Sequence, residues 1–192
     1  MFEAITGLSA AFGLSGSAGL NAYIPLLMVA LASRFPLNDP LLTLSKPYDL
    51  LSNWWIIGIL AVLLVIEVLA DKIPVVDSTN DAIQTFVRPV AGAILFAGSA
   101  HVITDVHPLL SLGSGLLIAG GVHATKSIAR PVVTATTAGT GNWAVSSAED
   151  VTAFFVSLLA LFLPIVGAIL LATVLIMIFV ALRRRRQKRP AL

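Results

Sequence analysis

Charge is what this sequence lacks. Only 11% of its 192 residues are charged, against about 25% in a typical soluble domain, while 57% are hydrophobic. So few charges cannot cover a soluble surface of this size. From Val151 to Leu182, 32 residues pass without one charged side chain. Cysteine is absent, which excludes disulfides, a thiolate nucleophile and any cysteine metal site. The N-terminal stretch lacks the basic start of a cleavable signal: Glu3 stands there, and the apolar run continues through Ser33. There is no nucleophile–base arrangement and no phosphate-loop pattern. Neither an enzyme, a cofactor nor a nucleic-acid partner is therefore expected.

Where charge returns, it is informative. Six of the twelve basic residues fall in the last ten positions, from Arg183 to Arg189. An apolar block followed by such a cluster marks a membrane exit on the cytoplasmic side. Upstream, apolar segments cover Gly7–Ser33, Trp54–Ala70, Pro89–Ile103 and Leu109–Thr125. The first is interrupted by Gly13, Ser15, Gly16, Ser17 and Gly19, which predicts a broken or re-entrant helix. The last block would be roughly 48 Å long as one helix, well beyond a ~30 Å hydrocarbon core. Turning at Pro164, it becomes two short spans.

Six spans then place Lys72, Arg88, Lys126, Arg130 and the tail on one face, leaving only Arg34 and Lys46 opposite. Five spans with the tail inside would move the first four outside. The expectation is an all-α integral membrane protein with about six transmembrane helices. Residues 1–182 form one polytopic domain and 183–192 a basic cytoplasmic tail, with both termini inside and the bacterial inner membrane as location.

The chain also resembles itself. Pro89–Gly98 and Pro164–Thr173 are identical at six of ten positions. Gly19-Leu20-Asn21-Ala22 is echoed by Gly121-Val122-His123-Ala124, and Asn53-Trp54 by Asn142-Trp143, in the same order. Halves of about 1–105 and 106–182 with three spans each would have opposite orientations. That is a three-plus-three inverted repeat, an architecture of secondary transporters.

Charges inside or beside the spans are the functional candidates. Glu67 and Asp71 lie four residues apart, on one helix face near the end of the second segment. Two carboxylates facing a low-dielectric region repel, so they could share a proton or ligand a cation; as an interfacial residue, Glu67 could instead pair with Lys72 or Arg88. Asp77, Asp81, Gln84 and Arg88 share one face of an amphipathic helix, with Ile83, Phe86 and Val87 on the other. That helix either lies at the interface or extends the third span, with Asp77 or Ser78 as its cap. Arg88 directly precedes an apolar run and is the best placed for function. His123, Lys126, Ser127 and Arg130 form a stripe that could meet an anion or neutralise Glu67 and Asp71, or simply anchor the span.

Asn21 follows a glycine break, where freed backbone groups can bind solute; close helix packing explains the same glycines. Asn21 and His123 should approach each other if the repeat holds, and His123 could titrate in the physiological range. Ser146 and Glu149 fit a capping box opening the fifth span. Residues 134–143 read as a loop. His101, Asp105 and His107 offer a poor metal site without a fourth ligand, so no metal is expected.

Taken together, Gly13–Pro25, Glu67–Asp77 through Arg88–Gly92, and Gly121–Arg130 resemble the bacterial membrane-protein family catalogued as domain of unknown function 4126. The Glu-x3-Asp-Lys-x-Pro-x2-Asp stretch is the most specific part of this resemblance, which covers nearly the whole chain. It implies a polytopic inner-membrane protein and supplies no activity. Glu67–Lys72 is also loosely similar to the Glu-x-Gly-Asp-Lys motif of small inverted-repeat cation exchangers, with a spacing of four instead of three and no glycine.

The expected function is a small secondary transporter or channel-like protein for an ion or small polar solute, open to proton or cation coupling. Glu67, Asp71, Arg88, Asn21, His123, Lys126 and Arg130 would line its binding site. Its partners would be the bilayer, the ion or solute and a second copy of the chain. The competing expectation is a non-transporting protein that binds anionic lipid or assists envelope assembly.

Overall fold

The structure is a computed structural model and describes residues 2–35, 46–71, 74–99 and 107–163, together with positions 42, 44, 166 and 173. The apolar block beyond Pro164, the basic tail, His101 and Asp105 lie outside the described residues, as does the Asp77 side chain. Six α-helices and one 3-10 turn, with no strand, make up the described residues: α1 Phe2–Leu20, α2 Tyr23–Ala32, α3 Trp54–Ala70, α4 Pro74–Ser99, α5 Pro108–Thr137 and α6 Gly141–Phe162. The 3-10 turn, Tyr48–Ser52, leads into α3.

Local chemistry sets these boundaries. The Asn53 side chain accepts from Trp55 N at 3.0 Å and starts α3. Pro108 opens α5, where its missing N–H costs nothing, and His107 Nδ1 accepts from Leu109 N. Ala138 and Gly139, both with positive φ, end α5 and turn the chain straight into α6. Residues 134–143 are therefore mostly helical, and the expected loop shrinks to one tight turn. Helix α4 begins at Pro74, so Asp77 and Ser78 lie inside it instead of capping it. The amphipathic stretch and the third span are one continuous helix running through Pro89.

Helix α1 is the central element, packed against α4, α5 and α6. It runs towards the α5–α6 turn: Phe12 stacks edge-on against Phe96 at 5.3 Å, Ser15 Oγ donates to Gly92 O at 2.9 Å, and Asn21 meets Asp150. Helix α2 runs back. Phe35, just past its end, packs on Trp54 at the start of α3, with ring centroids 5.5 Å apart. Phe2 and Ala32 thus lie at the same end of the bundle, and α1 and α2 form a hairpin whose tip is Asn21. The Asn21 side-chain oxygen accepts from Tyr23 N and Ile24 N at 3.0 and 3.1 Å, which caps α2 and closes the tip. The first segment does break, but at Asn21–Ala22: α1 runs unbroken through Gly13, Ser15, Gly16, Ser17 and Gly19, where the sequence placed the interruption. Helix α5 runs unbroken through His123, the position paired with Asn21 in the sequence repeat.

Small residues let these helices approach. A Cβ on Gly115 would overlap the backbone of Gly92 and Ala93, and one on Gly92 would lie 2.7 Å from Gly115 O. Close crossing through small residues is how helices associate where no hydrophobic force drives them together. The exterior is the reverse of a soluble protein. Trp55 is 82% exposed and Phe86 and Ile128 76%, while Gln84 and Arg88 on α4 are buried. The apolar face of the amphipathic stretch points outward and its polar face inward. Helices α5, α6 and the part of α4 from Asn80 to Ser99 are long and apolar enough to cross a membrane.

Gly115→Ala should lower stability by about 1–3 kcal/mol, because the added methyl has no room. Gly121→Ala, with open space around it in the same helix, should leave stability unchanged or raise it by up to about 1 kcal/mol. Thermal unfolding of the two variants in one detergent checks the contrast.

Candidate functional site

Antiparallel packing of α3 and α4 aligns two polar rows. On α3 the row is Glu67 and Asp71; on α4 it is Arg88, Gln84 and Asn80, one helical turn apart. Arg88 Nη2 donates to Glu67 Oε1 at 2.9 Å, with both side chains sealed at 0% and 1% exposure. Asn80 Nδ2 donates to Asp71 Oδ1 at 2.8 Å. Gln84 sits between these two rungs.

Helix α5 adds two cations and α6 two carboxylates. Lys126 Nζ lies 2.8 Å from Glu149 Oε2 and 3.8 Å from Asp71 Oδ2. Arg130 Nη2 lies 3.1 Å from Glu149 Oε2 and 3.6 Å from Asp71 Oδ2. Asp71 Oδ2 also accepts from Ser146 Oγ at 3.4 Å and stands 4.0 Å from Arg88. Asp71 is thus the hub that joins α3, α4, α5 and α6.

The hairpin tip closes the network. Lys126 Nζ donates to Leu20 O at 3.4 Å, at the carbonyl end of α1 where a cation is favoured. Asn21 Nδ2 donates to Asp150 Oδ1 at 2.9 Å. On the far side of Arg88, Nη1 lies 3.2 Å from His123 Nδ1. A guanidinium can only donate, so Nδ1 accepts and the neutral ring carries its hydrogen on Nε2. Nε2 faces Thr85 Oγ1 at 3.2 Å and Ser127 Oγ at 3.4 Å. These residues belong to a pocket of about 480 Å³ between α4 and α5, walled by Pro89, Gly120, Ala124 and Ile128.

All seven residues singled out in the sequence enter this one network. Asn21 and His123 reach it from different sides, through Asp150 and Arg88 respectively. Glu149, Asp150, Ser146, Asn80 and Gln84 were not among them. The capping-box expectation for Ser146 and Glu149 fails because α6 starts at Gly141, which puts both inside the helix. A signal was present: Asn142, Ser146, Ala153, Ser157 and Ala160 recur at helical spacing and are all buried, so α6 carries a polar and small stripe. Asp81 is half-buried beside the inward-facing row of Asn80, Gln84 and Arg88. His107 serves as a cap, and no metal-binding group of His, Cys, Asp or Glu occurs among the described residues.

Residues 8–184 match the family model described as Domain of unknown function (DUF4126), and the chain belongs to that family. No curated protein and no solved structure matches the chain.

Removing one partner of a buried pair leaves an uncompensated charge, at about 3–5 kcal/mol. Lys126→Met and Glu149→Gln should each destabilise on that scale. The double variant should cost less than the two together, a coupling that a double-mutant cycle of unfolding free energies measures directly.

Proposed function

We propose that this member of the family is a small secondary transporter or channel-like protein for an ion or small polar solute. The observation that carries this is the position of the charges. Glu67, Asp71, Arg88, Lys126, Arg130 and Glu149 converge on the tip of a broken hairpin, inside a bundle whose exterior is apolar. Intramembrane charges are costly and serve solute and ion movement by default. Broken helices at membrane depth present free backbone ends to a substrate, as the Leu20 carbonyl does to Lys126. At 1.5 Å per residue Arg88 lies about 16 Å along α4 from Ser99, near the middle of a ~30 Å hydrocarbon core.

The hairpin supports a topology of five crossings plus one re-entrant element. Helices α3 to α6 cross in turn, and the span expected from the sequence after Pro164, which lies outside the described residues, would make the fifth. The basic tail is then cytoplasmic, in a plasma or bacterial inner membrane, and the start of α1 lies outside. This replaces the six-crossing arrangement with both termini inside. The repeat pairing of Asn21 with His123 is supported by their shared network, while the unbroken α5 departs from strict inverted symmetry. A second copy of the chain is the expected partner, since a bundle of this size encloses little interior.

A non-transporting role, with the tail on anionic lipid headgroups, is favoured by one observation: the Glu67–Arg88 pair is sealed from solvent. Flux assays separate the two functions. In proteoliposomes carrying an enclosed ion- or pH-sensitive dye, the native protein should pass at least one of proton, sodium, potassium, chloride or phosphate, and Glu67→Gln should fall to the liposome background. Equal flux in both, or none in either, removes the transport function.

Topology has its own check, because the chain has no cysteine to interfere. Cysteines placed at Glu3 and Lys46 should react with an impermeant maleimide from one side, and one at Thr140 from the other. Labelling of Glu3→Cys from the Thr140 side would restore six crossings.

A further inference from the structure

Two prolines free backbone carbonyls at the same place. Pro89 lies inside α4 and Pro131 inside α5. A proline has no N–H to return to the carbonyl four residues before it, so Thr85 O and Ser127 O lose their helical donors. In a membrane helix such a carbonyl is met by a side chain or by water. No side chain among the described residues donates to either one. Thr85 and Ser127 are also the two residues that flank His123 Nε2 in the α4–α5 pocket, at 3.2 and 3.4 Å.

The hydroxyls complete the inventory. Arg88 donates to His123 Nδ1, so Nε2–H is given to Thr85 Oγ1 and Ser127 Oγ. Thr85 donates its own hydroxyl hydrogen to Asp81 O at 2.8 Å. The Ser127 hydroxyl hydrogen has no acceptor among the described residues. The polar end of the pocket therefore offers one spare donor and two spare acceptors.

The walls set the class of ligand. None of the lining side chains is charged, and Arg88, behind His123, is fully buried and paired with Glu67. Pro89, Gly120, Ala124 and Ile128 make the remainder apolar. Ala124 and Ile128 stand on the α5 face that also presents Leu117 outward, and Leu117 and Ile128 are 73% and 76% exposed. Both helices are long and apolar enough to cross a membrane, so this mouth opens sideways onto lipid. Its volume of about 480 Å³ is that of a small-ligand site.

We propose that the α4–α5 pocket binds a neutral lipid with a free hydroxyl, of the diacylglycerol type, entering from the bilayer. The lipid hydroxyl accepts from Ser127 Oγ and donates to a proline-freed carbonyl, Thr85 O or Ser127 O. Its acyl chains lie along the outer faces of α4 and α5. The ester carbonyls of an ordinary phospholipid accept but cannot donate, and a charged headgroup finds no counter-charge in this lining. The site stands whether or not the chain transports.

A photoactivatable diacylglycerol tests the site, with the full chain in phosphatidylcholine vesicles. Illumination should label residues 85–89 and 120–128. Excess diacylglycerol should reduce that label to background, whereas its hydroxyl-acetylated ester and phosphatidic acid should leave it in place. Ala124→Trp, which fills the pocket, should abolish the label, and Ser127→Ala should lower it about fivefold, the effect of one hydrogen bond. Should a variant fail to fold, the competition arms on the native chain decide alone. Label spread over the outer faces of other helices, equal competition by the acetylated ester, or full labelling of folded Ala124→Trp overturns the proposal. So does cross-linking of 120–128 to a second copy of the chain in place of lipid.

Discussion

The structure depends on one constraint: charge placed inside an apolar-faced bundle must be answered from within the bundle. Lipid offers no hydrogen bonds and the Arg88 and Glu67 side chains are sealed from solvent, so their charges have to be met by protein partners. Asp71 meets that demand for most of the molecule. It accepts from Asn80 and Ser146 and lies within 4.0 Å of Arg88, Lys126 and Arg130. Four helices are held in register by this one carboxylate, and the hairpin tip is attached through Lys126 and Asn21.

Close packing and polar anchoring divide the bundle along its length. Towards the Trp54 end, α1 packs through Ser15, Ser17 and Gly13, with Ser17 Oγ bonding Ala153 O at 2.8 Å and facing Ser157 Oγ at 2.7 Å. Towards the α5–α6 turn the helices meet instead through the long side chains of Lys126, Arg130 and Glu149. The hairpin tip lies between these two levels. That is also where His123 stands between the α4–α5 pocket and the buried Arg88, so the pocket and the ion-pair network share one wall.

Much of the site was legible in the sequence because charge is so scarce there. With few charged residues, those inside or beside the apolar runs stand out, and Glu67, Asp71, Arg88, Lys126 and Arg130 all prove to be partners. Glu149 and Asp150 were hidden by their place before a long apolar block, where acids ordinarily cap a helix. Asn80 and Gln84 were hidden because an amphipathic stretch does not say which face is inward; in lipid the polar face is.

The sequence by itself determined the helical, membrane-suited character of the chain, that its first apolar segment is interrupted, and the pool of buried charges, because composition and period are local properties. Tertiary structure decided the direction of α2 after the break, the extension of α5 and α6 up to one tight turn, and the pairing of each charge. Those depend on which helices can approach at Gly92 and Gly115 and on which distant carboxylate a cation then meets, and neither is written in any single segment.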